Sequence, residues 1–420
     1  MTVITRFIYG DVLKICVVAQ RVPFPPNKGE KLRTFHQIER LVELGHSIEV
    51  VTFSEDSRDS DDAKALEAKL GITVTLFPLA GKLSRYLSAL LKNQPISVGA
   101  FYQSEAAKYI DKVLKQNTCD VMFLSASSLA GYVLSSPAFK CSQVKVMIDY
   151  MDVDSDKWLQ YASNSSWPMR AVYQREARGI RELERKANEQ FEKTFLIAHE
   201  EVALFKRDVC DATPVTVLGN GLDFSLFYPA ETKGKEADGH FLFTGVMDYK
   251  PNVDAVLWFV QNCWPGIKKQ LPNAVFTVGG MNPVPEIKAL DGVDGIRVTG
   301  FVDDMLPFFH EATAFVAPFC LARGVQNKVL QAAACDLPIV TTPMGAEGIQ
   351  FASQQTMFIE SSPEAFTEAC IECVTNTELA QSKANQALQA IKNDYSWKQQ
   401  LLPLEQALDK LAKKAQGESL

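Results

Sequence analysis

The residues best suited to do chemistry gather at one turn, Arg323, Gly324, Val325, Asn327 and Lys328, within ARGVQNKVLQAAACDLPIVTT. An apolar run over 315–319 precedes the turn and reads as a buried parallel strand. A helix is expected over 325–335, where Ala332, Ala333 and Ala334 allow close packing. The next strand is expected over 338–342, ended by Pro343 and Gly345. A helix start presents unpaired backbone N–H groups and the positive end of its dipole, and Arg323 and Lys328 add two full charges there. That combination suits a pyrophosphate. The competing reading is a plain βαβ unit with solvated charges.

Weaker constellations surround it. Lys28-Gly29-Glu30 sits where the first strand meets its helix, and a glycine there lets backbone approach a ligand; a plain loop reads equally well. Asn220-Gly221, in LGNGLD, is most simply a tight turn. Gly245 and Lys250 lie in GVMDYKPN, the loop after another strand. Asp149, Asp152, Asp154 and Asp156 cluster after a strand. Lys157 stands where a calcium loop needs glycine and Ser163 where it needs glutamate, so a calcium site is not expected. Helix capping by Asp154 or Ser155 competes with an acceptor-side role, without metal, for Asp152 and Asp154. Cys370-x-x-Cys373 has no partner pair, which argues against a zinc site. No H-x-x-x-H, G-x-S-x-G or G-x-G-x-x-G occurs, which counts against a helical zinc site, a serine hydrolase and a dinucleotide-binding dehydrogenase.

These residues need elements to hold them. Strands are expected over 14–19, 48–53, 72–77, 121–125, 144–148 and 194–198, with helices between them, and a second series over 241–244, 274–278, 296–299, 314–317 and 339–341. Alternation of this kind argues for parallel sheets covered on both faces. The 420 residues exceed what one core usually sustains. Domains are expected over 1–221 and 222–392, with a C-terminal helix in 393–420 whose Leu401, Leu404, Leu408 and Leu411 form a stripe that packs back on the first. In such sheets ligands sit beyond the carboxyl ends of the strands, so facing loop sets imply a central cleft.

Net charge of −7 makes a nucleic-acid partner unexpected. Nine cysteines without a framework, and no run of about 18 apolar residues, point to a reduced, cytoplasmic protein. A long helix is expected over 169–193, with Tyr173, Ala177, Ile180, Leu183, Ala187 and Phe191 buried. Its arginines, partly neutralised by Glu176, Glu182 and Glu184, form either a solvated face or a contact with anionic headgroups on the inner membrane surface.

Taken together, GNGLD, FTGVMDYKPN, VTGFVDD and ARGVQNKVLQAAACDLPIVTT resemble the retaining glycosyltransferases of family four, which have the GT-B fold. RVPFPPNKGEKLRTFHQ and DVDSDKW narrow the resemblance to a bacterial sugar-transferase subfamily associated with exosortase systems and exopolysaccharide clusters. It covers nearly the whole chain from Lys14 onward. It implies an α/β protein of two Rossmann-like domains, a nucleoside-diphosphate sugar held mainly by the second (a UDP-sugar as first guess), a glycan or lipid-linked acceptor against the first, and no metal or other cofactor. Arg323 and Lys328 would be catalytic at the leaving diphosphate. Asn220, Gly221, Gly245, Lys250, Gly324, Val325 and Gln331 would bind donor, and Lys28, Gly29, Glu30, Asp152 and Asp154 would form the acceptor or closing side.

Many family members carry two glutamates eight positions apart at the central turn; here those positions hold Arg323 and Gln331. An amide at the second keeps one acceptor for a ribose hydroxyl and costs about 1 kcal/mol of charge-assisted bonding. A nucleotide-sugar epimerase on the same scaffold, and a non-catalytic subunit of a polysaccharide assembly complex, stay open beside the transferase.

Overall fold

The computed structural model describes residues 12–26, 29–163, 165–231, 239–320 and 325–415. They fall into two compact units, residues up to Asn220 together with those from Gln400, and Gly221–Gln399.

The first unit is built on seven strands: β1 (Lys14–Val18), β2 (Ser47–Ser54), β3 (Thr73–Pro78), β4 (Val121–Leu124), β5 (Lys145–Asp149), β6 (Lys193–Leu196) and β7 (Val215–Val217). All neighbours are parallel, in the order β3-β2-β1-β4-β5-β6-β7. The second unit repeats the plan with β8 (His240–Thr244), β9 (Val275–Gly279), β10 (Ile296–Gly300), β11 (Ala314–Ala317), β12 (Ile339–Thr341) and β13 (Phe358–Ile359), ordered β10-β9-β8-β11-β12-β13 and again all parallel. Helices on both faces leave the central strands no solvent, so they read as unbroken apolar runs. Cys16, Val17 and Val18 in β1, and Phe241, Leu242 and Phe243 in β8, are wholly buried. Strand order reverses beside β1 in one sheet and beside β8 in the other, the places where open parallel sheets bind ligands beyond their carboxyl ends.

Several elements differ from the sequence expectation. β7 and β13 are three and two residues long, too short to give a periodic signal. The helix after the central turn is Asn327–Ala334, starting two residues later than expected, and the long helix is Met169–Gln190, ending three residues earlier. The C-terminal stripe breaks at Leu401 into Trp397–Gln400 and Leu402–Ala415. Leu401, Leu404 and Leu408 are buried, and Arg40 pairs with Glu405 at 2.7 Å within the first unit.

The expectation that Glu176 and Glu184 neutralise surface arginines is corrected. Both are buried. Glu176 accepts from Ile96 N, Ser97 N and Ser97 Oγ at 2.6–2.7 Å, capping the short helix Ile96–Ala100, and Glu184 accepts from Ser155 N. Of the three, Glu182 alone pairs with arginine among the described residues, at Arg185. Cys370 and Cys373 are buried core side chains of the Pro363–Thr375 helix.

Candidate functional site

The second unit assembles its site where β8 and β11 end. Lys328 stands in the first turn of Asn327–Ala334 and folds back toward the sheet, its ammonium 5.0 Å from the Phe243 ring centroid and 4.9 Å from that of Phe319. It donates to Asn252 Oδ1 at 2.6 Å. Asn252 is fixed in turn, because its Nδ2 donates to Val246 O at 2.9 Å and leaves the oxygen aimed at the lysine. Burial alone pushes the Lys328 ammonium down to about 8. Among the described residues no carboxylate pairs with it. A cation steadied by a neutral amide and two ring faces keeps its charge for an incoming anion.

Gly245 closes the wall beside it. A Cβ there would lie 2.6 Å from Asn252 Nδ2 and 3.1 Å from Lys328 Nζ, so any side chain would displace both. Gly280 is tighter still, with φ +139° and space for a Cβ only 1.7 Å from Gly245 O. These glycines permit close approach rather than supplying free donors. Gly245 N–H donates to Gly279 O at 2.9 Å and Gly280 N–H to Gly300 O at 3.2 Å. Across β11, Thr342 Oγ1 donates to Phe319 O at 2.6 Å and accepts from Gly345 N at 3.1 Å, which holds the Phe319 side of the pocket.

Of the other donor-side expectations, Val325 and Gln331 are half-buried, Gln331 lying three residues beyond Lys328 on the same helix. Lys250 is placed differently: its ammonium is held by Asp254 of its own helix at 2.7 and 2.8 Å, on the surface. Gly221 packs against Trp397, whose Cα would lie 2.5 Å from a Cβ. Arg323, Gly324 and Lys28 lie outside the described residues.

In the first unit a buried guanidinium organises the strand ends. Arg33, in the helix Gly29–Glu43, is fully buried and uses all five donor hydrogens. Nε and Nη2 grip Asp149 at 2.6 and 3.0 Å. Nη2 also donates to Leu218 O at 2.5 Å, and Nη1 to Gly219 O at 3.1 Å and Asn220 Oδ1 at 2.7 Å. Asp149 is completed by Gln37 Nε2 at 2.6 Å and Met151 N at 3.2 Å. Asn220, expected from the sequence, is therefore held by Arg33, which the sequence reading passed over.

Nearby, Gly29 opens that helix and Glu30 pairs with Arg21. Asp152 is exposed. Asp154 accepts from Ser127 Oγ, and burial pushes its carboxyl above the usual range. Glu184 is pushed up to about 8 by burial, with Asp154 adding to the effect. Among the described residues no group of His, Cys, Asp and Glu is arranged to hold a metal ion, and no helix is long and apolar enough to cross a membrane.

Arg33 and Gln37 carried one legible signal. They fall on the same helical stripe as the buried Thr34, Ile38 and Leu41, and a charge on a core-facing stripe must find partners. Asn252 carried less, standing in a quoted loop motif without a chemistry of its own.

Residues 238–376 match the family described as Glycosyl transferases group 1, a span that contains Gly245, Lys250, Asn252, Lys328 and Gln331. The chain is similar, at 22% identity over 400 residues, to an uncharacterised 44.6 kDa protein in the cps region of Klebsiella pneumoniae, covering 92% of this chain and 97% of that one. Among solved structures it is similar to sucrose-phosphate synthase from Thermosynechococcus elongatus, with TM-score 0.61 and 14% identity over 95% of this chain and 99% of that one. Anabaena HepE, solved in complex with UDP, gives TM-score 0.62 and 13% identity over 95% and 100%. The two parallel sheets and these likenesses establish the fold as GT-B.

Proposed function

We propose that the protein is a retaining glycosyltransferase that moves a sugar from a nucleoside diphosphate, UDP-sugars first, to a hydroxyl of a glycan or lipid-linked acceptor in bacterial polysaccharide assembly. The observation that carries this reading is Lys328, a desolvated cation without a carboxylate partner among the described residues, set beside a glycine wall at the strand-order reversal. Support comes from the family match over that stretch, from the cps-region relative and from the UDP complex of HepE.

The chemical problem is negative charge building on the diphosphate as the glycosidic bond breaks. The Lys328 ammonium and the start of its helix are in place before the reaction begins and stabilise that charge without reorganisation, and Arg323 is assigned to the same diphosphate. The departing phosphate takes the proton of the attacking hydroxyl on the same face of the sugar. Charge neutralisation by these two side chains makes a divalent ion dispensable.

The decisive experiment screens uridine, guanosine and adenosine diphosphate sugars for binding, then follows product from the best donor with and without acceptor, and with a chelator. Transfer that persists under chelation, with anomeric configuration kept and Arg323→Ala strongly impaired at unchanged stability, is the expected result. Conversion of donor sugar without acceptor identifies an epimerase instead. Full turnover by Arg323→Ala removes that residue from the leaving-group site.

A further inference from the structure

The helix Lys82–Leu91 of the first unit is inside out. It buries Arg85 and Ala89 and turns Leu83, Tyr86, Leu87, Leu90 and Leu91 to solvent, Leu83 at 73% and Leu91 at 88% exposure. Spacings of three and four residues put these on one stripe. The inversion is fixed from within, because Arg85 donates to Glu55 at 2.6 Å and is sealed under the helix. Gly99 lies so close below Ala89 that a Cβ would approach Ala89 Cβ to 2.3 Å. The helix cannot roll its leucines inward without exposing or breaking that pair.

The charge around the stripe is mostly positive, with Glu55 at the Lys82 end already paired to Arg85. Residues 79–104 contain no Asp or Glu, and neither do 157–175, in a chain of net charge −7. The two stretches are joined: Arg175 donates to Asn93 Oδ1 and Gln94 O at 3.2 and 3.1 Å, and Gly179 abuts Pro95. Lys92 hangs over the Tyr102 ring at 5.0 Å, while Lys82, at the other end of the helix, stands 3.9 Å from Glu55. At the start of Met169–Gln190, Trp167 (83% exposed), Met169 and Arg170 are also exposed. Exposed leucines with Trp, Tyr and Lys/Arg beside them are the composition that settles into the headgroup layer of a bilayer.

We propose that this face, centred on Lys82–Leu91, docks the protein on an anionic membrane surface, the leucines entering the acyl boundary and Lys92, Arg170 and Arg175 meeting lipid phosphates. Arg185, farther along Met169–Gln190, takes no part, since it is held by Glu182 and Glu189. An apolar stripe alone fits a second copy of the chain equally well. The basic surround, with Glu55 taken up by Arg85 and Lys82 at one end, selects the lipid, because a two-fold contact would set like charges against each other.

Flotation of the full chain with vesicles of phosphatidylcholine, and of phosphatidylcholine with 30% (about one lipid in three) phosphatidylglycerol, tests this. Binding is expected on the anionic vesicles and at least tenfold weaker on the neutral ones. Leu87→Glu with Leu91→Glu, both exposed positions, is expected to lower vesicle affinity at least tenfold with UDP-glucose affinity and melting temperature unchanged. Lys92→Gln is expected to lower it about fivefold, the effect of one surface cation, and more steeply at low salt. Equal binding to both vesicles, no binding to either, or undiminished binding by the double variant overturns the proposal. So does a concentration-dependent dimer abolished by the double variant, which assigns the face to a second copy. Nucleotide binding is read separately throughout, so failure here is distinct from failure of the proposed transferase.

Discussion

If the Lys328 ammonium grips the donor diphosphate, donor affinity must follow its protonation. Burial holds this group at about 8 rather than 10.5. The free site is then about nine-tenths charged at pH 7 and about one-tenth charged at pH 9. A bound diphosphate keeps the proton on the lysine, so the apparent Kd for UDP-glucose should rise about tenfold, about 1.4 kcal/mol, between those pH values. A lysine at its ordinary value would give no change over that range. UDP-glucose is the right probe, because both its phosphates are diesters and do not titrate there. Calorimetry at pH 8.5 in two buffers of different ionisation enthalpy should register uptake of about three-quarters of a proton per donor bound. Lys328→Arg should bind with no such slope, since guanidinium stays charged, and Lys328→Met should bind weakly at every pH. A flat profile in the wild-type protein, with no buffer dependence, would refute the placement of the diphosphate at this ammonium.

Two further outcomes follow from buried charge in the first unit. Among the described residues Arg33→Met leaves Asp149 with Gln37 and Met151 N as partners and frees Asn220, so urea unfolding should show a loss of about 3–5 kcal/mol, partly recovered by adding Asp149→Asn. Glu184 is an acid whose folded value, about 8, lies above its unfolded 4.5. The native state therefore keeps its proton, and stability from this group is complete below pH 4.5 and lost as pH rises toward 8. Glu184→Gln should raise stability at pH 9 relative to wild type by up to about 5 kcal/mol and change little at pH 4; equal gains at both would reject this account.

Much of the scaffold was legible because parallel strands buried on both faces announce themselves as apolar runs. Phe315, Val316 and Ala317, then Ile339, Val340 and Thr341, fall where such runs place them. The strand ends put Gly245 and Lys328 within reach of one another, a proximity the sequence alone could not measure. What escaped the sequence is the side a residue faces when polarity and burial part company. Arg33, Glu176 and Glu184 have the composition of surface residues yet satisfy buried backbone and carboxylate groups, and Leu83, Leu87 and Leu91 have the composition of core yet stand in solvent. A helical period reports a stripe, not which way it points. Lys250 illustrates the same limit at shorter range, since an aspartate four residues on captured it.

The contact between Gly245 and Gly280 has a wider meaning. Backbone rests on backbone there, and Met247 N reaches Met281 O at 2.8 Å just beyond, so the loops after β8 and β9 are stitched into one plate, with Asn282 Nδ2 donating to Asp248 at 3.1 Å as a side-chain link. Diversity can accumulate at the exposed Val246, Tyr249 and Met281 on that plate while its geometry stays put. A change of surface chemistry by exchange of a few such residues, rather than by redesign of the loops, is the evolutionary freedom this seam confers.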